Sequence, residues 1–165
     1  GGAEKALHQY AIASYVHLHA AFPELAARMP IGSMGENFTI AGMHEDNVHI
    51  GDIYRIGSAL VQVSQPRNPC WKINSKFDDE RLAKFIAAQH IPGWYYRVLE
   101  AGQVELGDSM DLVERFNPMS LRNFLAAYEE HRPNFLILRS MARTQGLTLS
   151  WQVKIQQRME VLQRL

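Results

Sequence analysis

The spacing of apolar and polar positions changes character twice along the chain. From Glu4 to Met29 the positions Leu7, Tyr10, Ala11, Ser14, Tyr15 and Leu18 recur at intervals of three and four, which predicts an amphipathic helix closed by Pro23 and Pro30. Between Gly32 and Arg115 the pattern shortens to β-type runs separated by Gly, Asp, Asn and Pro: NFTIAG, NVHIGDIYRIG, ALVQVSQP and WYYRVLEAGQVELGD. Alternation is clearest in Ala59, Val61 and Val63, and EAGQ reads as a hairpin turn because glycine adopts the positive φ such turns need. The insert DDERLAKFIAAQH predicts a short helix with Leu82, Phe85 and Ile86 on one face. After Arg115 the helical period returns. Ser120 is placed to cap a helix carrying Leu121, Phe124, Leu125 and Tyr128, and Pro133 to open a second running towards Gly146. Ser150 then caps a third with Trp151, Ile155, Met159 and Leu162 on a stripe, and Arg158 and Arg164 near its terminal carbonyls. The reading is mainly β with α additions: a β-rich body over residues 1–116 and a three-helix tail over 117–165. A tail this short buries little by itself, so it is expected to pack on the body or on a partner.

Composition narrows the function classes. The 165 residues suit one domain or a domain with an appendage, and 47% hydrophobic residues fill a real core. Seventeen Lys and Arg balance seventeen Asp and Glu, so no global field draws the chain onto nucleic acid or an anionic membrane, and recognition by charge must be local. No apolar run approaches the roughly 20 residues that span a bilayer. One cysteine makes no internal disulfide, which points to a reducing compartment, with the cytoplasm expected. The chain opens with neither Met nor a leader, so residues preceding Gly1 are expected to be missing from it.

That cysteine, Cys70, lies in SQPRNPCWKIN. Pro66 and Pro69 end the preceding strand and hold Arg67 to Cys70 in an extended, rigid loop, since proline fixes φ and cannot donate to a ladder. Arg67 and Lys72 flank the sulfur, and neighbouring cations favour the thiolate, the form that attacks electrophiles or binds metals. From these residues alone a reactive or metal-bound sulfur and a small buried hydrophobe both stay open.

The same run resembles the cysteine motif of MOSC domains, named for the C-terminal part of molybdenum cofactor sulfurase, and particularly of their YiiM branch. The likeness extends along the chain in the family's order. GGAEKALHQY is similar to the family's His-Gly-Gly start, MGENFTIAGM to its Gly-Glu-Asn segment, VHIGDIYRIGSALVQVSQPRNPC to its central strands, and the tail to the branch's three-helix extension. The His before the Gly pair and the family's first strands are absent here. The resemblance implies a closed MOSC-type β-barrel that binds the molybdenum cofactor (molybdopterin), with Cys70 as the thiolate ligand to the metal. It implies reduction of N-hydroxylated small molecules, such as hydroxylaminopurines and amidoximes, with electrons from a separate reductase. No G-x-G-x-x-G run marks a flavin or nicotinamide site, in keeping with an external donor for which the tail is a candidate dock. Arg67 and Lys72 become candidates for the cofactor's phosphate and pterin edge, Asn74 for a pterin hydrogen bond, and Gly35, Glu36 and Asn37 for the family's second signature. Arg97, in a family-like strand, is a further candidate. Trp71 and His8 are candidates for the substrate pocket, Trp71 by stacking. Two rival readings stand beside this one: a carrier of the cofactor or its sulfur without turnover, and a protein-interaction module on a degenerate barrel.

The other histidines carry plainer expectations. His17 and His19 stand two apart, point different ways on a helix and are expected on its solvated surface, and His44, His49, His90 and His131 lack partners at ligand spacing. Of Trp94, Tyr95 and Tyr96, roughly two are expected in the barrel core or on the sheet surface.

Overall fold

A computed structural model describes residues 2–164; Gly1, the first of the Gly-Gly pair, and Leu165 lie outside the described residues. Five antiparallel strands form one sheet in the order β1-β4-β3-β2-β5: β1 (Leu7–Gln9), β2 (Ile53–Ile56), β3 (Ala59–Pro66), β4 (Trp94–Glu100) and β5 (Met110–Glu114). β3 sits at the centre because Val61 and Val63 are fully buried, as a strand paired on both edges and covered on a face requires. Gly57 and Ser58 close the β2–β3 hairpin in the two-residue form that wants positive φ, which Gly57 supplies at 54°.

The predicted EAGQ hairpin does not form, because β4 and β5 are not neighbours. The chain after β4 crosses the tip of the β2–β3 hairpin instead. Ser58 N donates to Gln103 O (3.1 Å) and Gln103 N to Ser58 Oγ (2.8 Å), which delivers β5 to the far edge beside β2. Gln103 O would lie 2.2 Å from a Cβ on Gly57, so the crossing depends on that glycine.

The closed barrel is also corrected: among the described residues the sheet is open. Closure needs β1 paired with β5, yet the outer edge of the three-residue β1 meets Phe38 through Gln9, and most of β5 faces solvent. NFTIAG and the first half of NVHIGDIYRIG contribute only isolated bridges, at Phe38 and His49.

The helix predicted from Glu4 begins later. Leu7 to Gln9 pair with β4, and α1 spans Ile12–Ala21. A further helix, α2 (Trp71–Phe77), lies outside the sequence expectation, whereas α3 (Leu82–Ala88) falls within the expected insert and buries Leu82 and Ile86. The later helices are α4 (Leu121–Glu129), α5 (Phe135–Met141) and α6 (Leu149–Gln163). Ser120 Oγ caps α4 by accepting from Asn123 N, as expected. α5 opens at Phe135, two residues after the expected Pro133, and Asn134 caps it, accepting from Leu136 N at 2.8 Å. α6 starts at Leu149, ahead of the expected cap Ser150, and Thr148 Oγ1 donates to Gln65 Oε1 at 3.0 Å, tying the helix to β3. Arg158 does not serve the terminal carbonyls of its own helix: its Nη2 donates to Glu130 O, at the C-cap of α4, 2.7 Å away.

Two apolar cores result. One joins the sheet residues Val61, Val63, Trp94 and Tyr96 with Phe124, Leu138, Trp151 and Ile155 of α4, α5 and α6, so these helices share the core of the sheet. The other gathers Tyr15, Leu18, Phe22 and Met29 around α1 with Ile73, Phe77, Leu82 and Ile86 of α2 and α3. Tyr95, between the buried Trp94 and Tyr96, is half-exposed on the sheet. No described helix is long and apolar enough to cross a membrane.

Candidate functional site

Where β3 ends, Arg67 N donates to Gly93 O (3.0 Å) and turns the chain away from the sheet towards Cys70 and α2. Ile73 and Phe77, one turn apart, bury one side of α2 in the second core. Lys72 and Lys76 therefore stand beside them, over the Ser33–Glu36 turn. Between this turn and α2 lies a cleft of about 200 Å³, lined by Ser33, Met34, Gly35, Arg67, Lys72 and Lys76 together with the apolar Ile73 and Phe77. Arg67 Nη1 donates to Met34 O (3.0 Å) and Lys76 Nζ to Ser33 O, so the cations brace the turn through its carbonyls. Each keeps donors beyond those bonds. Gly35 holds φ +76°, and a Cβ there would meet no atom within 4 Å, so its backbone is open to close approach.

Glu36 anchors the turn from below. Its Oε1 accepts from Tyr15 OH (2.6 Å) and Gly32 N (2.8 Å). Burial, and then this bond to Glu36, push the Tyr15 hydroxyl up to about 12. Asn37 clamps β1: His8 N donates to Asn37 Oδ1 (2.8 Å) and Asn37 N to His8 O (2.7 Å). The His8 ring is thereby held in the interior, 5% exposed, and burial first and the Arg67 cation second lower it to about 4. It is neutral at physiological pH. Its Nε2 has no hydrogen-bond partner, and the same holds for Ser33 Oγ and Glu36 Oε2. Buried polar atoms left in this state cost free energy unless something else satisfies them.

The remaining candidates are dispersed. Cys70 is exposed at the N-cap of α2, its carbonyl accepting from Ile73 N at 3.0 Å, so the buried-hydrophobe reading of this thiol does not hold. Trp71 is 70% exposed and lines another groove, with Asn74, Asp78, Asp79 and Glu80. Asn74 is spent on structure: Nδ2 donates to Glu80 O (3.0 Å) and Oδ1 accepts from Ala83 N (2.8 Å), joining α2 to α3. Arg97 lies opposite Gln62, and its guanidinium is held by Gln62 Oε1 (2.7 Å) and Glu4, outside the cleft lining. His19 bonds Met29 O and His49 bonds Asn117 O, both as structural groups. Ser33 and Lys76 escape the sequence reading. Lys76 carries a usable signal, since it follows Lys72 by one helical turn, but only with 71–77 read as a helix.

The family model of the MOSC domain matches residues 1–111. This chain is a member of the MOSC domain family. Protein YiiM of Escherichia coli is 36% identical over 162 residues, spanning 96% of this chain and 70% of that protein. A protein of Gibberella moniliformis named Reductase is 40% identical over 119 residues, which are 72% of this chain but 21% of that one. The crystal structure of Escherichia coli YiiM superposes with a TM-score of 0.90 at 33% identity, covering 95% of this MOSC chain and 78% of that structure.

The family's namesake implies a molybdenum cofactor, and the donors present fit one. An exposed thiol suits a soft, sulfur-rich metal site. Arg67, Lys72 and Lys76 suit a phosphate, with no carboxylate lining their cleft, and the partnerless His8 Nε2 and Ser33 Oγ are polar atoms a ligand would satisfy. Among the described residues no group of three or more His, Cys, Asp or Glu would hold a bare metal ion, so a metal here would arrive with ligands of its own.

Proposed function

We propose that this MOSC chain binds the molybdenum cofactor and reduces N-hydroxylated small molecules with electrons from a separate reductase. The observation that carries this reading is the cleft beside the Cys70 loop, where three cations meet the partnerless buried Ser33 Oγ, with the partnerless His8 ring near enough to feel the Arg67 charge. Family membership, a likeness to YiiM and a relative named Reductase support it.

Reduction of an N–OH group takes two electrons and two protons, breaks the N–O bond and releases water. When bound, the cofactor supplies the two-electron redox chemistry. The chain's residues supply the rest. Cys70 offers the thiolate ligand. Arg67 and Lys72, with Lys76, hold the anionic end through charge-assisted hydrogen bonds. Gly35 lets the ligand approach the backbone, and Glu36 and Asn37 fix the turn and His8 in place. His8, neutral and buried, presents Nε2 as a hydrogen-bonding atom without adding charge. Trp71 offers an exposed aromatic face next to the sulfur, on which a planar purine or amidoxime would stack.

The test is reduction of a hydroxylaminopurine and of benzamidoxime by freshly isolated protein loaded in a cofactor-competent host, with a chemical reductant as donor. Turnover lost in Cys70→Ser is the expected result. A protein that carries molybdenum yet reduces neither compound is a carrier. Trp71→Ala is expected to raise KM by about tenfold with kcat nearly unchanged, the signature of lost uniform binding; an unaltered KM removes Trp71 from the pocket.

A further inference from the structure

A second cleft, of about 560 Å³, lies between α5 and the segment Phe116–Pro118, with Asn117, Arg139, Ser140, Arg143 and Thr144 among its lining residues. These polar side chains all bring donors, and no Asp or Glu lines the cleft. Arg139 lies in the last turn of α5 and Arg143 in the turn that follows it, where its N–H donates to Ser140 O at 3.0 Å. Among the described residues neither Arg139 nor Arg143 is in an ion pair, a state they share with Arg28, Arg67, Arg132 and Arg158; what sets these two apart is that they line one cleft together. In a chain whose charges balance, that leaves local positive charge at a concave surface.

Asn117 adds an independent sign. Its carbonyl accepts from His49 Nδ1 (2.6 Å) and its Oδ1 from Met119 N (3.1 Å), which fixes the residue and orients the amide. The amide nitrogen Nδ2 is buried and has no partner. The opposite wall is equally fixed, since Leu138 and Met141 of α5 are buried in the core of the sheet. Phe116 and Leu136 give the cleft an apolar side.

We propose that this cleft binds a small organic diphosphate, in chemical class a nucleoside diphosphate. Two guanidinium forks lining one cleft, from the end of α5 and the turn after it, suit two adjacent phosphoryl groups, because each fork takes phosphate oxygens in pairs. Asn117 Nδ2 and the hydroxyls of Ser140 and Thr144 complete the donor set, and Phe116 and Leu136 seat the organic part. The volume is that of a small-molecule site. The inference is independent of the molybdenum reading, since it shares no residue with the cleft beside Cys70.

The experiment is isothermal titration of the whole chain with ADP, inorganic pyrophosphate and adenosine, free of divalent cations and at low salt. Saturable binding of ADP and pyrophosphate, with none of adenosine, is expected, and binding should weaken with added salt. Arg139→Gln with Arg143→Gln should weaken ADP by at least about tenfold, and Asn117→Ala by a smaller factor. Circular dichroism checks that these variants fold. Lys72→Met, in the other cleft, should leave ADP binding unchanged. Two results overturn the proposal: no saturable binding of either phosphate compound, or binding that survives the double arginine variant and disappears in Lys72→Met.

Discussion

Both oxygens of the buried Asp52 are matched by donors, whereas around His8 several buried polar atoms have none. Asp52, with no exposed surface, accepts from Arg115 Nε (2.9 Å) and Nη2 (2.7 Å), from Tyr54 OH (2.9 Å) and from His49 N (2.9 Å). Four donors satisfy one carboxylate, and the network locks β2 to the start of the helical segment. A few strands away, His8 Nε2, Ser33 Oγ and Glu36 Oε2 are equally withdrawn from water but bond to nothing, beside cations that no carboxylate joins in the cleft. The first arrangement is what stability demands of buried polarity. The second costs stability unless a ligand or water satisfies it, as the proposed cofactor would.

Breaking the matched region should have the largest effect. Asp52→Ala leaves the buried Tyr54 OH and His49 N unpaired, while the exposed Arg115 keeps Asn47 O and water, so a loss of about 2–5 kcal/mol is expected in urea unfolding; a loss below about 1 kcal/mol would mean that water satisfies both groups instead. The next effect is a pH dependence. Folded His8 titrates near 4 and an ordinary histidine at 6.5, so between these values the unfolded chain takes up the extra proton. Its contribution is full above pH 6.5 and is lost as the pH falls towards 4, on the order of 3 kcal/mol in all. His8→Gln should flatten the stability profile over that window, measured by urea midpoints at several pH values; an unchanged slope would show that His8 is not held neutral. The smallest effect on stability is expected in the cleft itself. Lys72→Met should change unfolding free energy by less than about 0.5 kcal/mol while lowering cofactor content, and a large destabilisation would instead make Lys72 a structural residue.

Much of this contrast is legible in the sequence, though unevenly. The central strand shows in Ala59, Val61 and Val63, and α4 shows in its stripe and in Ser120, because one buried face and one capping side chain are local signals. The start of the chain misleads, since Leu7, Tyr10 and Ala11 fit a helical spacing while actually bracketing a short strand; pairing with β4, a contact distant in sequence, decides the matter. The EAGQ turn fails for the same reason: the chain there crosses a hairpin tip whose position no local pattern encodes. Of the residues singled out by motif, Arg67, Lys72 and Gly35 line one cleft, beside the Cys70 loop. Ser33 and Lys76 are not legible, because α2 has only Ile73 and Phe77 buried and follows two prolines, too weak a stripe to announce a helix. Arg97 looks equivalent to Arg67 in sequence, and only the fold reveals that Glu4 and Gln62 occupy it.

If the partnerless atoms and cations beside Cys70 exist to hold a molybdenum cofactor, metal analysis of protein isolated fresh from a cofactor-competent host tests it most directly. Near-stoichiometric molybdenum in the unaltered chain, falling to background in folded Cys70→Ser and in Arg67→Met with Lys72→Met, is the predicted result. Molybdenum that is absent from the unaltered chain, or retained undiminished by these variants, would contradict it.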